Sequence, residues 1–192
     1  MGLELEVKYR ATPAQQEAMR QAFPVQWNML EMETTYYDTP GNTLSGRRFT
    51  LRRRLENGIS MCALKTPGDG FGRGEWEVEA NSIMEGVMQL CQAGADWELM
   101  RCASGGLVEV CGARFTRLAK TLEVPGGTVE LALDEGILLG RGKELPFAEV
   151  EVELKSGTDE AAVAFAKALA EEFNLTEEPR SKFVRAMTLA MN

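Results

Sequence analysis

Hydrophobic and polar residues alternate one for one through much of this chain, and in segment after segment the polar partner is ionised. At the N-terminus Leu3, Leu5, Val7 and Tyr9 interleave with Glu4, Glu6 and Lys8. Side chains two apart in an extended chain share a face, so this stretch predicts a strand with one apolar side and one charged side. The segment 147–155 repeats the pattern, with Val150, Val152 and Leu154 opposite Glu149, Glu151, Glu153 and Lys155. Between them, residues 47–56 place Arg48, Thr50, Arg52 and Arg54 on one face. Asn57-Gly58 is a hairpin signal leading into a strand over 59–66, which lays Lys65 beside the arginine row. Further strands are predicted over 33–39, broken by Pro40-Gly41-Asn42, and over 73–79, 107–123 and 128–134; in the last, Glu130 and Asp134 flank Ala132 on one face.

Helical periodicity interrupts the strands. Thr12-Pro13-Ala14-Gln15 carries a capping Thr, a first-turn Pro and a Gln three residues after the cap, predicting a helix over 13–23 that Pro24 ends. Ser82 and Glu85 open a second helix with Ile83, Val87 and Leu90 on one stripe, and Asp96 to Cys102 adds a short one. A helix over 159–173 stacks Ala162, Phe165, Ala166, Leu169 and Phe173, and a short terminal helix lies near Ser181-Lys182-Phe183. Residues 67–72 form a glycine-rich loop expected to be mobile. About eight strands, most joined by hairpins and with no βαβ rhythm, give an antiparallel α+β fold, read as one domain over 1–192.

Composition narrows the chemistry. Histidine is absent, which removes Ser/His and Cys/His nucleophile pairs and imidazole metal sites; any catalysis falls to carboxylates, Lys, Arg and a hard metal ion. Cys62, Cys91, Cys102 and Cys111 show no C-x-x-C spacing and sit among apolar or small residues, the pattern of buried reduced thiols. No apolar run is long enough for a membrane span, and a charged strand stands where a signal peptide would, so a cytoplasmic location is the default. The net charge of −8 argues against nucleic-acid and anionic-membrane partners. The cations nevertheless concentrate in alternating strands, which implies a local basic site inside an acidic protein.

An open sheet could send the charged faces to solvent, and a closed barrel could turn them inward around a ligand; the periodicity is the same for both. Turned inward, Lys8, Arg52, Arg54, Lys65 and Lys182 together with Glu4, Glu6, Glu149, Glu151 and Glu153 would be intolerable as plain core, because unpaired buried charges cost several kcal/mol each. Around a polyanion and a cation they make sense: Arg and Lys hold phosphate oxygens, and carboxylates hold Mg²⁺ or Mn²⁺.

Glu4-x-Glu6-x-Lys8 resembles the E-x-E-x-K signature of the CYTH domain, the triphosphate tunnel metalloenzymes. In the same order follow Tyr36-Tyr37-Asp38-Thr39, Leu51-Arg52-x-Arg54, Ala63-Leu64-Lys65, Arg73-x-Glu75, Glu130-Leu131-Ala132-Leu133-Asp134, the 149–153 strand and Ser181-Lys182. The resemblance implies an eight-stranded antiparallel β-barrel, or tunnel, with inserted and flanking helices. It implies Glu4, Glu6, Glu149, Glu151 and Glu153 as metal carboxylates, and Glu4, Glu6 and Lys8 as the catalytic group. Lys8, Arg52, Arg54, Lys65, Arg117 and Lys182 become triphosphate ligands, with Arg73 open between a phosphate contact and a salt bridge to Glu75 or Glu77. Arg114 and Lys120 stay outside this set, lying on the strand face opposite Arg117, and Tyr36, Tyr37 and Trp76 read as core or tunnel wall.

The implied activity is Mg²⁺- or Mn²⁺-dependent hydrolysis of inorganic triphosphate to pyrophosphate and phosphate, with a small-molecule triphosphate as partner and a monomer or homodimer as the assembly. The alternatives are a class IV adenylate cyclase, a thiamine or nucleoside triphosphatase, and a non-catalytic polyphosphate-binding module. Some relatives carry a further histidine-rich helical domain, which this chain, ending at Asn192, is expected to lack. Crowded carboxylates around an empty metal site repel one another, so replacing Glu6 or Glu151 by Gln is expected to relieve strain in the unliganded protein.

Overall fold

The alternation at residues 3–9 becomes two strands: β1 (Gly2–Glu4) and β2 (Glu6–Arg10), parted at Leu5. In a computed structural model, which describes residues 2–24, 26–67 and 73–191, these are followed by α1 (Pro13–Ala22), β3 (Asn28–Asp38), α2 (Thr43–Gly46), β4 (Thr50–Glu56), β5 (Ile59–Pro67) and β6 (Arg73–Glu79). Then come α3 (Ile83–Gln92), α4 (Glu98–Ala103), β7 (Val108–Val124), β8 (Gly127–Gly140), β9 (Lys143–Gly157), α5 (Asp159–Phe173), β10 (Thr176–Glu177) and α6 (Lys182–Met191). Pro67 ends β5, and the rest of the expected glycine-rich loop lies outside the described residues.

All ladders are antiparallel and the strand order is β1-β6-β5-β4-β3-β7-β8-β9-β2-β10. β1 therefore stands at one edge of the sheet and β2 near the other, with only Leu5 between them in the chain. The sheet wraps back on itself through that covalent link, and no hydrogen-bonded ladder joins its two edges among the described residues. The expected eight strands correspond to ten because the first is split at Leu5 and the two-residue β10 is added.

The apolar face points outward and helices cover it. Leu51, Cys62 and Leu64 of β4 and β5 pack beneath Val87 and Leu90 of α3 and Leu99 of α4. On the far side Val129, Leu131, Val150 and Val152 pack against Met19 of α1 and Ala162, Ala166 and Leu169 of α5. Helix caps fix these elements at their starts: the Thr12 side chain accepts from the Gln15 amide and the Gln15 side chain accepts from the Thr12 amide, while Ser82 and Thr158 cap α3 and α5. A third cluster joins Tyr36, Phe115, Leu138 and Phe147 to Phe183, Ala186 and Met187 of α6. Its strand residues share parity with the charged positions, so α6 fills one end of the concave face.

Several expected boundaries move. Arg48 leaves the arginine row: it sits in the turn after α2 with φ 63, and β4 begins at Thr50. Asp38, part of the Tyr-Tyr-Asp-Thr run, is buried and accepts hydrogen bonds from the amides of Thr39 (2.7 Å), Leu44 (2.8 Å) and Ser45 (3.0 Å), which holds the start of α2. β8 and β9 extend through residues 135–146, where no strand was expected; Arg141 and Gly142, with φ 49 and 75, form the two-residue turn that joins them.

Candidate functional site

The inward faces enclose a cavity of about 710 Å³. One wall carries Arg52 and Arg54 on β4, opposite Tyr36 and Thr34 of β3 in the ladder, and Lys65 on β5. Carboxylates stand beside these cations: Lys65 Nζ lies 3.5 Å from Glu75 Oε1, and Arg52 Nη2 lies 3.6 Å from the same oxygen and 3.7 Å from Glu77 Oε2. Arg54 donates from Nε to Thr34 Oγ1 at 3.2 Å and pairs with Glu56 Oε1 at 3.3 Å. Burial, followed by the charges of Arg52 and Arg117, pushes the Arg54 guanidinium below its ordinary pKa, so this positive charge is under-compensated.

The acidic wall is built in rows across β8, β9 and β2. Glu130, Glu153 and Glu6 form one row, Ala132, Glu151 and Lys8 the next, and Asp134, Glu149 and Arg10 the third. Like charges directly opposite each other are unfavourable on a sheet. Lys8 Nζ, 3.0 Å from Glu6 Oε1, and Lys155 Nζ, 2.9 Å from Glu153 Oε1 and 3.7 Å from Glu130 Oε1, compensate the first row. Burial would lower the Lys8 pKa, but Glu6 and Glu151 raise it overall.

Deeper in, α6 delivers Lys182 into the acids. Its Nζ donates to Asp134 Oδ2 at 2.6 Å and Glu151 Oε1 at 2.8 Å, contacts Glu149, and lies 4.8 Å from the Phe115 ring centre. Arg117 forks onto Asp134 with two 2.8 Å bonds and also reaches Glu151, while Arg185, one turn along α6, pairs with Glu149. Burial acts to raise the Glu151 pKa, yet Lys182, Arg117 and Lys8 overcome it and hold the carboxyl well below the usual range. Glu149 goes the other way: burial raises it despite Lys182 and Arg185.

Two expectations change here. Glu151 is not a strained carboxylate awaiting relief, because three cations surround it. Glu149 does not line the cavity but lies fully buried behind Lys182. The oxygens of Asp134, Glu149 and Glu151 lie within 4.8 Å of one another, a spacing a metal ion could use, and the Lys182 ammonium already stands among them.

Of the sequence-derived set, Glu6, Lys8, Arg52, Arg54, Lys65, Arg117, Glu151, Glu153 and Lys182 all face the one cavity. The side chains of Glu4 and Arg73 lie outside the described residues, although their backbones pair across β1 and β6. Arg114 stays outside, 3.9 Å from Glu33, and Lys120 reaches the Phe23 carbonyl oxygen at 3.3 Å and the Trp27 ring. Tyr36 lines the cavity with its ring tilted against Phe183, 5.1 Å between centroids, whereas Tyr37 and Trp76 join the outer core. The sequence reading missed Glu130, Asp134, Arg185, Glu75, Glu77 and Lys155 as members. Strand parity places Lys155 with Glu151 and Glu153, and three-residue helical spacing places Arg185 with Lys182, so both signals were present.

The donor set suits a hard divalent cation. Glu6, Glu130 and Glu153 offer three neighbouring carboxylates open to the cavity, the chain has no imidazole, and its cysteines Cys62 and Cys111 are buried away from the site with thiols pushed up to about 11 and about 12. No helix of the described residues is long and apolar enough to cross a membrane.

Comparison with known proteins agrees with this geometry. An inorganic triphosphatase of Haemophilus influenzae is 27% identical over 162 residues, covering 83% of this chain and 46% of that protein, so the chain spans about half the length of this curated relative. The solved structure of HpAC1 from Hippeastrum, a candidate adenylyl cyclase with a dominant triphosphatase activity, superposes with a TM-score of 0.68 at 18% identity, covering 98% of this chain and 96% of that one. PH1819 of Pyrococcus horikoshii superposes at 0.65 with 25% identity, covering 98% and 99%. The CYTH domain profile matches residues 2–187, and the chain belongs to the CYTH domain family.

Proposed function

We propose that the protein hydrolyses inorganic triphosphate to pyrophosphate and phosphate in a divalent-metal-dependent reaction. The observation that carries the reading is the charge arrangement of the cavity. Among the described side chains Lys8, Arg52, Arg54, Lys65, Arg117, Lys155 and Lys182 balance Glu6, Glu56, Glu75, Glu77, Glu130, Glu151 and Glu153, and both signs stand on each wall: Arg52, Arg54 and Lys65 with Glu56, Glu75 and Glu77 on β4 to β6, the others on the facing strands and α6. A polyanion alone would meet as much repulsion as attraction there. A polyanion accompanied by divalent cations meets a partner on each wall.

In this reading Arg52, Arg54, Lys65, Lys8, Arg117 and Lys182 hold the phosphate oxygens. Glu6, Glu151 and Glu153, with Glu130 beside Glu153 along the sheet and with Glu4 of β1, would hold Mg²⁺ or Mn²⁺. A divalent ion held there would supply Lewis-acid chemistry, drawing charge from phosphoryl oxygens and making water a better nucleophile. Water adds its oxygen to a terminal phosphorus, the bridging P–O bond breaks and pyrophosphate leaves. A carboxylate of the Glu6, Glu153 and Glu130 row accepts the water proton, while the arginines neutralise charge gathering on the bridging oxygen. The Haemophilus influenzae relative supports the choice of substrate. A class IV adenylate cyclase or a thiamine or nucleoside triphosphatase is the alternative, because the phosphate ligands would serve all of them alike. Comparing kcat/KM for tripolyphosphate, ATP and thiamine triphosphate under one metal condition tests the assignment. Tripolyphosphate is expected to lead, and a clear preference for either organic ester would overturn it.

A further inference from the structure

We infer that Lys155 is a tethered counter-ion that competes with the divalent cation for the outer carboxylate row. The inference rests on the metal reading above. Lys155 is not part of the phosphate-binding set, yet it lines the same cavity. It shares the strand parity of Glu151 and Glu153, and the sheet is irregular beside it: Thr128 pairs with Ser156 and Val129 with Leu154, which leaves Lys155 as the extra residue of a β-bulge in β9. A bulge bends its strand and re-aims the extra side chain. Here it brings the ammonium to 2.9 Å from Glu153 Oε1 and 3.7 Å from Glu130 Oε1, in the row where three carboxylates stand side by side on β2, β9 and β8.

The Lys8 side chain, which serves Glu6 and Glu151, is only 12% exposed, whereas the Lys155 side chain is 39% exposed and can swing into solvent. Without a cation the three carboxylates would repel one another, and Lys155 satisfies two of them. A divalent ion needs the same oxygens and must displace it. Two cations thus compete for Glu153 and Glu130, one covalently attached and one from solution. The tether raises the metal concentration at which the outer row fills.

The test is Mn²⁺ binding to the substrate-free protein, followed by electron paramagnetic resonance of the free ion. Removing the competitor in Lys155→Met should tighten Mn²⁺ binding about fivefold or more, the scale expected for losing one positive charge beside a divalent ion at a partly wet site. Lys155→Arg keeps the charge and should bind as the wild type does. Adding Glu130→Gln to Lys155→Met should weaken binding again, because one of the released oxygens is gone. Lys155→Gln repeats the measurement with a shorter neutral side chain if Met lowers the melting temperature. Equal or weaker binding by both neutral variants, with wild-type binding intact, overturns the role of Lys155 and leaves the metal reading standing. If neither the wild type nor the variants bind Mn²⁺, both fall together.

Discussion

At Arg54, burial and the charges of Arg52 and Arg117 all act against the guanidinium in the unliganded protein. That opposition is what an anion would relieve. Arg54→Gln should therefore lower kcat/KM for tripolyphosphate about 100-fold or more, while the melting temperature stays level or rises; a large drop in stability with activity retained would contradict this. Glu151 is the converse case. Its carboxyl is held well below the usual range by Lys182, Arg117 and Lys8, against the effect of burial. A depressed carboxyl adds stability above its unfolded pKa, about 4.3 for Glu, and loses it as pH falls through the folded value. Glu151→Gln should thus cost about 1–3 kcal/mol at neutral pH, since Lys182 keeps Asp134 and Glu149. The deficit should shrink on acidification below about pH 4. Glu149, raised by burial, contributes in the opposite sense, so Glu149→Gln should destabilise less than Glu151→Gln. Melting curves of both variants at neutral and acid pH check the order, and an inverted order would refute it.

At the scale of elements, the seating of the helices on the outer face decides stability. Gly86, in the middle of α3, has room for no side chain: an added Cβ would lie 2.5 Å from both Cβ and Sγ of Cys62 on β5. Gly86→Ala gains roughly 1 kcal/mol of helix propensity, but lifting α3 off β5 costs about 1–3 kcal/mol, so a net loss in melting temperature is expected. At Gly46 of α2 nothing lies within 4 Å of an added Cβ, and Gly46→Ala should not destabilise; matching effects at the two positions would refute the packing argument. Most strands and all the longer helices were legible in the sequence because alternation and caps are local signals. What was missed depends on tertiary context. The break at Leu5 serves the passage of the chain from one sheet edge to the other, and Arg48 is turned out by the short helix that Asp38 caps. β3 starts at Asn28 instead of residue 33 because the adjacent Met29 and Leu30 obscure the alternation.

In the whole molecule, a chain of net charge −8 gathers a balanced set of cations and carboxylates, interleaved on both walls, around one cavity. The polar faces were legible from parity, but the periodicity of one strand carries no information on whether the sheet curls. Nor could it show that Lys182 enters between Asp134, Glu149 and Glu151, because that pairing is made by a helix more than 25 residues further along the chain. The sheet, the helix that fills its end and the balanced walls serve one proposed reaction. Phosphorus NMR of tripolyphosphate incubated with the protein observes that reaction without a coupled assay. With Mg²⁺ or Mn²⁺ present, the tripolyphosphate signals should decline while pyrophosphate and phosphate appear in equal amounts, and excess chelator should stop the conversion. Unchanged tripolyphosphate in the presence of metal, or undiminished turnover after chelation, would contradict metal-dependent triphosphate hydrolysis in this cavity.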